Sequence, residues 1–269
     1  MSPLLHIAGL TLQTNGTRLV SALDLTIAPG ERVGLIGESG SGKSLTAMAA
    51  TGLLPANIRA SGSITLSGQE VIGASEHALN QLRGKAAAVI FQELLTALDP
   101  LMRFGRQIAE PLRRRARRAG ERLDANAMHK TVLALMADVA LPEPERIARA
   151  YPHEISGGQR QRVAIALALA CRPSLLIADE PTTALDVTTQ AEILRLLDRL
   201  VRDRDMALLF ISHDLPVVAS IVERVVVLRQ GQAVETGPVA QVFSRPQHGY
   251  TKSLVAAARS FDTALGGQP

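Results

Sequence analysis

The sequence predicts an α/β protein with a mostly parallel sheet, an antiparallel β subdomain beside it, and a helical subdomain inserted into it. Three observations point there. Short, wholly apolar runs alternate with longer helical patterns, as strands buried on both faces and their crossover helices do. The opening segment instead alternates apolar with polar residues, the habit of half-exposed antiparallel strands. Between about residues 95 and 160 the pattern is helical and arginine-rich, with no convincing strand.

In chain order, residues 10–13, 23–27 and 63–66 carry the alternating pattern. Residues 33–36 form an apolar strand that runs into a glycine-rich loop, and residues 45–54 read as a helix stopped by Pro55. Further buried strands are expected at 87–91, 175–178, 207–211 and 225–228. Gln230-Gly231 reads as a turn before one more short strand and a helix around residues 238–243. The stretch 261–269 reads as frayed. We place one domain at residues 1–245, with the helical subdomain at about 95–160 inserted in it, and a short C-terminal tail at 246–269.

Composition excludes several classes. At 269 residues the chain can bury a sizeable core, and 46% hydrophobic with 20% charged residues argues against disorder. One cysteine, Cys171, forbids an internal disulfide or a multi-cysteine metal site, and it reads as a buried, inert thiol. Aromatics are 3% with no Trp, which argues against stacking surfaces for single-stranded nucleic acid. The formal charge of +4 comes from one cluster: without the five arginines of Arg113-Arg114-Arg115-Ala116-Arg117-Arg118 it is −1. Consecutive residues on a helix lie about 100° apart, so this cluster wraps its helix and reads as a solvated surface. No early stretch has the order of a secretory signal, and the apolar run 163–171 is about half of what a bilayer requires. The chain reads as cytoplasmic, with any membrane role exercised through a partner.

Chemistry concentrates in three motifs. Gly37-Glu38-Ser39-Gly40-Ser41-Gly42-Lys43-Ser44 fits G-x-x-x-x-G-K-[ST] between a strand and a helix. Backbone N–H groups and the helix N-terminus can cradle phosphate oxygens there, Lys43 can reach the β/γ-phosphates, and Ser44 can ligate Mg²⁺. Asp179 and Glu180 end an apolar strand, where one carboxylate can hold Mg²⁺ and the other orient a water. Side chains alternate along a strand, so the two would not share one job if the strand continued through both. Ile155-Ser156-Gly157-Gly158-Gln159 precedes an Ala/Leu-rich helix, with Ser156 as its cap and a second anion site at its start.

With these motifs the chain resembles the ATP-binding cassette ATPases, whose signature LSGGQ has Ile155 in its first place here. The resemblance runs from about residue 5 to residue 255. It implies that Lys43 and the loop hold ATP, that Ser44, Gln92 and Asp179 serve Mg²⁺, that Glu180 polarises the attacking water, and that His213 contacts the γ-phosphate. It implies that the signature residues Ser156, Gly157, Gly158 and Gln159 bind nucleotide, with Ser156 and Gly158 completing the site of a second cassette so that hydrolysis needs a dimer, and that Asp186 is the D-loop aspartate beside the nucleotide. Phe91-Gln92-Glu93-Leu94-Leu95-Thr96-Ala97-Leu98-Asp99-Pro100 followed by Gly105-Arg106-Gln107-Ile108-Ala109-Glu110, and Arg245-Pro246-Gln247-His248-Gly249-Tyr250-Thr251, are similar to elements of the oligopeptide, dipeptide and nickel importer ATPases. Many of those carry an iron–sulphur tail, which Cys171 alone cannot supply.

The expectation is therefore an ATPase that powers an importer, for peptides first and for nickel or a metal chelate as the alternative. Its partners would be a second, non-identical cassette, membrane permeases and, indirectly, an extracellular or periplasmic binding protein, at the cytoplasmic face of the membrane. The competitors are a soluble cassette ATPase acting on nucleic acid or the ribosome, and a hydrolysis-poor regulatory cassette. Against the first stand a single cassette, no long heptad insertion and no zinc cysteines; against the second stand Glu180 and His213. One departure is notable. The family stacks adenine on an aromatic some 25 residues before the phosphate loop, but all seven aromatics here lie at or after residue 91. The matching stretch is Gln13-Thr14-Asn15-Gly16-Thr17-Arg18, so apolar contact or the Arg18 guanidinium plane is left to hold the base, with weak discrimination against GTP.

Overall fold

The computed structural model describes residues 2–92, 97–183 and 185–264. Strands β1 (Leu5–Thr14), β2 (Thr17–Ile27), β4 (Arg59–Leu66) and β5 (Gln69–Glu70) form an antiparallel sheet in the order β2-β1-β4-β5. The second sheet is built from β3 (Arg32–Ile36), β6 (Ala87–Ile90), β7 (Leu175–Asp179), β8 (Ala207–Ser212), β9 (Arg224–Arg229) and β10 (Gln232–Pro238). Its order is β10-β9-β3-β8-β7-β6, with every pair parallel except β9 with β10. The expected strands are all present, and β1 and β2 run longer than their alternation suggests. Register shifts along the β1/β2 pair break the period-two pattern that would have marked their full length.

The second sheet is a wall with an apolar compartment on each side. Leu176, Ala178, Leu208 and Phe210 face one core, while Leu175, Ile177, Leu209 and Ile211 face the other. That alternation of fully buried neighbours is the pleat of a strand covered on both faces. The second core is closed by β1, β2, β4 and helix α1 (Lys43–Ala50). Helix α2 (Glu76–Leu82) adds Leu79 and Leu82 to it. Helix α1 stops at Ala50 rather than reaching Leu54: the chain leaves the helix at Thr51, and Gly52 then turns left-handed with φ 65°.

The first core receives the inserted helices α3 (Phe104–Arg118), α4 (Ala125–Asp138) and α5 (Pro144–Arg149), then α6 (Gly157–Leu169). Phe104, Ile108, Leu112, Val132, Met136 and Ile147 carry the packing. Among the described residues between 95 and 160 there is no strand. Pro111 lies inside α3. Cys171 is half-buried beside it, its Sγ donating to the Pro111 carbonyl at 3.3 Å, and burial pushes the thiol pKa up against the pull of Arg118, Arg115 and Arg114. The arginine cluster does wrap α3: Ala116 is buried within it, while Arg118 donates to the Asn80 and Arg83 carbonyls.

Helices α7 (Val187–Asp203) and α8 (Leu215–Ile221) follow β7 and β8. After β10 come α9 (Val239–Ser244) and α10 (Gly249–Ala264), so the helix continues through residues 261–264 where fraying was expected. The rest of that stretch, 265–269, lies outside the described residues. No described helix is long and apolar enough to cross a membrane.

Candidate nucleotide site

The carboxyl ends of β3, β7 and β8 deliver their following loops to one cleft of about 610 Å³, lined by the phosphate loop, Gln92, Glu180, Thr183 and His213. Gly42 is the left-handed N-cap of α1, so the loop swings directly into the helix and the N-terminus of α1 faces the cleft. Lys43 is 5% exposed, and its Nζ donates to the carbonyls of Gly37 and Glu38, each at 2.8 Å. Burial lowers its pKa, while Glu180, Asp179 and Glu38 oppose that fall.

The two carboxylates part company because the strand ends between them. Asp179 is the last residue of β7 and is 4% exposed. Glu180 still donates its N–H to the Ile211 carbonyl at 2.9 Å, but its φ of 47° turns the chain left-handed there. A non-glycine residue in that region carries local strain, held here by the ladder to β8. The Glu180 carboxylate becomes a hub. Gln92 Nε2 and Thr183 Oγ1 each donate to Oε2 at 3.0 Å, and His213 Nδ1 lies 3.1 Å from Oε1. An acceptor at that distance calls for a ring proton on Nδ1.

Asp179 Oδ1 is buried and has no hydrogen-bond partner among the described residues. Burial raises this carboxyl's pKa, the Ser44 hydroxyl pulls it down, Glu180 adds to the rise, and Lys43 opposes it. An orphaned carboxylate oxygen beside a hydroxyl is the donor chemistry that a hard divalent cation accepts. With Nε2 of Gln92 committed to Glu180, its Oε1 is left as a third oxygen ligand.

The signature stands apart, outside the residues that line this cleft. Ser156 caps α6 reciprocally: its Oγ accepts from the Gln159 N–H at 3.3 Å, and Gln159 Oε1 accepts from the Ser156 N–H at 3.1 Å. Asp186 caps α7, accepting from the Thr189 N–H at 2.9 Å and the Thr189 hydroxyl at 2.7 Å. The two caps are neighbours. A Cβ on Gly158 would come within 2.6 Å of Thr189 Cγ2, so α6 and α7 start side by side only because that residue has no side chain.

Thr183, whose hydroxyl helps fix Glu180, belongs to none of the sequence motifs; in Glu180-Pro181-Thr182-Thr183 nothing distinguishes the second threonine from the first. Gln13 to Arg18 form the tip of the β1/β2 hairpin, turned at Asn15 and Gly16. Behind Gly42, where a Cβ would come within 2.7 Å of Val20 Cγ2, β2 touches the phosphate loop. Arg18 is exposed two residues before Val20, across a register shift in the β1/β2 pair. Residues 93–96 of the segment after Gln92 and Ala184 before Asp186 lie outside the described residues.

A family model described as ABC transporter matches residues 20–183. The peptidoglycan transport ATP-binding protein YejF of Agrobacterium fabrum is 49% identical over 261 residues, covering 95% of this chain and 47% of that protein. The oligopeptide transport ATP-binding protein OppD of Escherichia coli is 47% identical, covering 90% of this chain and 71% of that protein. The glutathione import ATP-binding protein GsiA of Pectobacterium atrosepticum is 42% identical, covering 96% of this chain and 41% of that protein. The chain thus spans less than half of two of these relatives. Among solved structures, the ATP-binding cassette MJ0796, in a dimeric post-hydrolysis state bound to ADP and Pi, is similar with a TM-score of 0.77 and 28% identity, covering 87% of this chain and 98% of that one.

Proposed function

Because this chain belongs to the ABC transporter family, in its branch of peptide, oligopeptide and nickel importer ATPases, we propose that it binds and hydrolyses ATP to power a membrane importer. The observation that carries this reading is the Glu180 hub, a carboxylate fixed by Gln92, Thr183 and His213 in the cleft that the phosphate loop also lines. Gly37, Glu38, Ser39, Gly40, Ser41 and Gly42 shape the loop; Lys43 and the loop amides bind the β/γ-phosphates. Ser44, Asp179 and Gln92 would hold Mg²⁺, which neutralises phosphate charge when bound. Glu180 orients the attacking water and accepts its proton, and His213 contacts the γ-phosphate.

Ser156, Gly157, Gly158, Gln159 and Asp186 lie away from this cleft and serve the site of a second cassette. The dimeric state of the similar cassette supports that arrangement. A non-identical partner cassette, permease subunits and a location on the cytoplasmic face complete the reading. Peptides are the proposed cargo, supported by relatives named for oligopeptide and peptide import; no observation favours a metal chelate or a nucleic acid. ATPase assays of the assembled transporter test the proposal. Wild type must hydrolyse ATP and Glu180→Gln must not; equal inertness with the permease present overturns it.

A further inference from the structure

The C-terminal helix reaches back to the phosphate loop across 212 residues of sequence, the Tyr250 hydroxyl accepting a hydrogen bond from the Glu38 N–H at 2.8 Å. That N–H shares a peptide group with the Gly37 carbonyl, which accepts from Lys43 Nζ at 2.8 Å. In a trans peptide the two groups point in opposite directions, so fixing one fixes the other. Lys43 and Tyr250 therefore hold the same plane from its two sides.

Tyr250 is itself well anchored. The Arg229 guanidinium sits 5.1 Å from its ring centroid. Its N–H donates to His248 Nδ1 at 3.1 Å, and Glu235 accepts from the N–H groups of Gln247 and His248 at 2.9 and 3.0 Å. The next residue, Thr251, is fully buried. Beside this contact the β9/β10 turn donates the Gly231 N–H to the Ser41 carbonyl at 3.2 Å. The segment after residue 183, beyond the span that the family model matches, thus grips the loop at two of its residues.

We propose that Tyr250 is a positioning residue for Lys43: by holding the Gly37–Glu38 peptide it sets where the lysine amine rests, and through it the affinity for the nucleotide phosphates. This inference rests on the ATP-hydrolysing reading above. In Tyr250→Phe the ring keeps its place under Arg229 and only the acceptor is lost. We expect the KM for ATP of the assembled transporter, and the Kd of the 269-residue chain, to rise about fivefold, the loss of one modest hydrogen bond. We expect kcat to stay within about twofold and the thermal midpoint without nucleotide to be unchanged.

A lowered midpoint with unaltered KM and Kd overturns the proposal in favour of a purely structural tail. Failure of wild type to bind ATP overturns the function proposed above and this inference with it; wild-type binding that Tyr250→Phe matches overturns this inference alone. A second measurement does not depend on that variant folding. The chain has two tyrosines and no Trp, so in Tyr151→Phe all tyrosine emission comes from Tyr250, and it must change on addition of ATP. Emission indifferent to saturating ATP overturns the proposal.

Discussion

The phosphate-loop cleft and the signature face are both built at helix N-termini, yet they treat their polar groups in opposite ways. Next in sequence to residues that line the cleft, Asp179 Oδ1 and Ser41 Oγ are buried with no partner among the described residues, and the side chains of Lys43, Gln92, Glu180 and His213 line the cleft itself. At the signature, Ser156 and Gln159 satisfy one another, and Asp186 is satisfied by Thr189. One region leaves polar atoms unpaired within the chain; the other pairs its own and offers a helix end to the outside. Chemistry and completion are thereby divided between two places, and substitutions in each should reach hydrolysis by different routes.

The largest effect is expected from Glu180→Gln. Loss of a general base should lower phosphate release by at least about a hundredfold, while ATP binding to the chain, read by titration, is retained. Gly158→Val should also lower hydrolysis with ATP binding kept, but by damaging the neighbouring site. Its side chain cannot fit against Thr189, so hydrolysis should fall at least about tenfold with the loss of helix-end donors to the neighbouring site. Binding of ATP to the isolated chain should not change, and a matching fall in binding would erase the distinction between the two regions.

Arg18→Ala tests the base end of the cleft. A stacked guanidinium is worth about 1 kcal/mol, so ATP affinity should drop about fivefold and the small preference over GTP should vanish. A strong ATP preference that survives the substitution would show that another group reads the base. Ser156→Ala removes a cap worth about 1 kcal/mol, which should lower the thermal midpoint by about 2–4 °C and leave ATP binding to the isolated chain intact.

The smallest effect is a pH dependence at Asp186. The Thr189 N–H, then its hydroxyl, hold this carboxyl below its ordinary pKa against slight burial. A depressed folded pKa means a contribution fully present above the unfolded value of about 3.9 and lost as pH falls through the folded one. The gap in thermal midpoint between wild type and Asp186→Asn should therefore be present at pH 7 and shrink below about pH 4. A gap that is constant with pH would assign the cap to the side chain's shape instead of its charge.

Much of this was legible because its signals are local. The runs 175–178 and 207–211 could only be strands buried on both faces, and the spacing of Gly37, Gly42, Lys43 and Ser44 carries its own mechanism. Ser156 could be read as a cap because a small hydroxyl residue precedes a helical run. What was hidden depends on distance or on backbone exceptions. The register shifts along β1 interrupt its alternation. The end of α1 is set by Thr51 and Gly52, ahead of Pro55, which looked like the stronger stop. The turn at Glu180 rests on a left-handed residue type that sequence does not advertise, and the bond from Glu38 to Tyr250 joins the two ends of the chain.

The wall-like second sheet has a mechanical consequence. Leu209 and Phe210 are adjacent in sequence and belong to different cores, so a void opened at one is lined by the inserted helices and a void at the other by the antiparallel sheet. Side-chain strain on one side can reach the other only through the backbone of the strands. The molecule thus has two separately adjustable interiors: repacking the first alters how firmly the signature-bearing insert is seated, and repacking the second alters the floor beneath the phosphate loop.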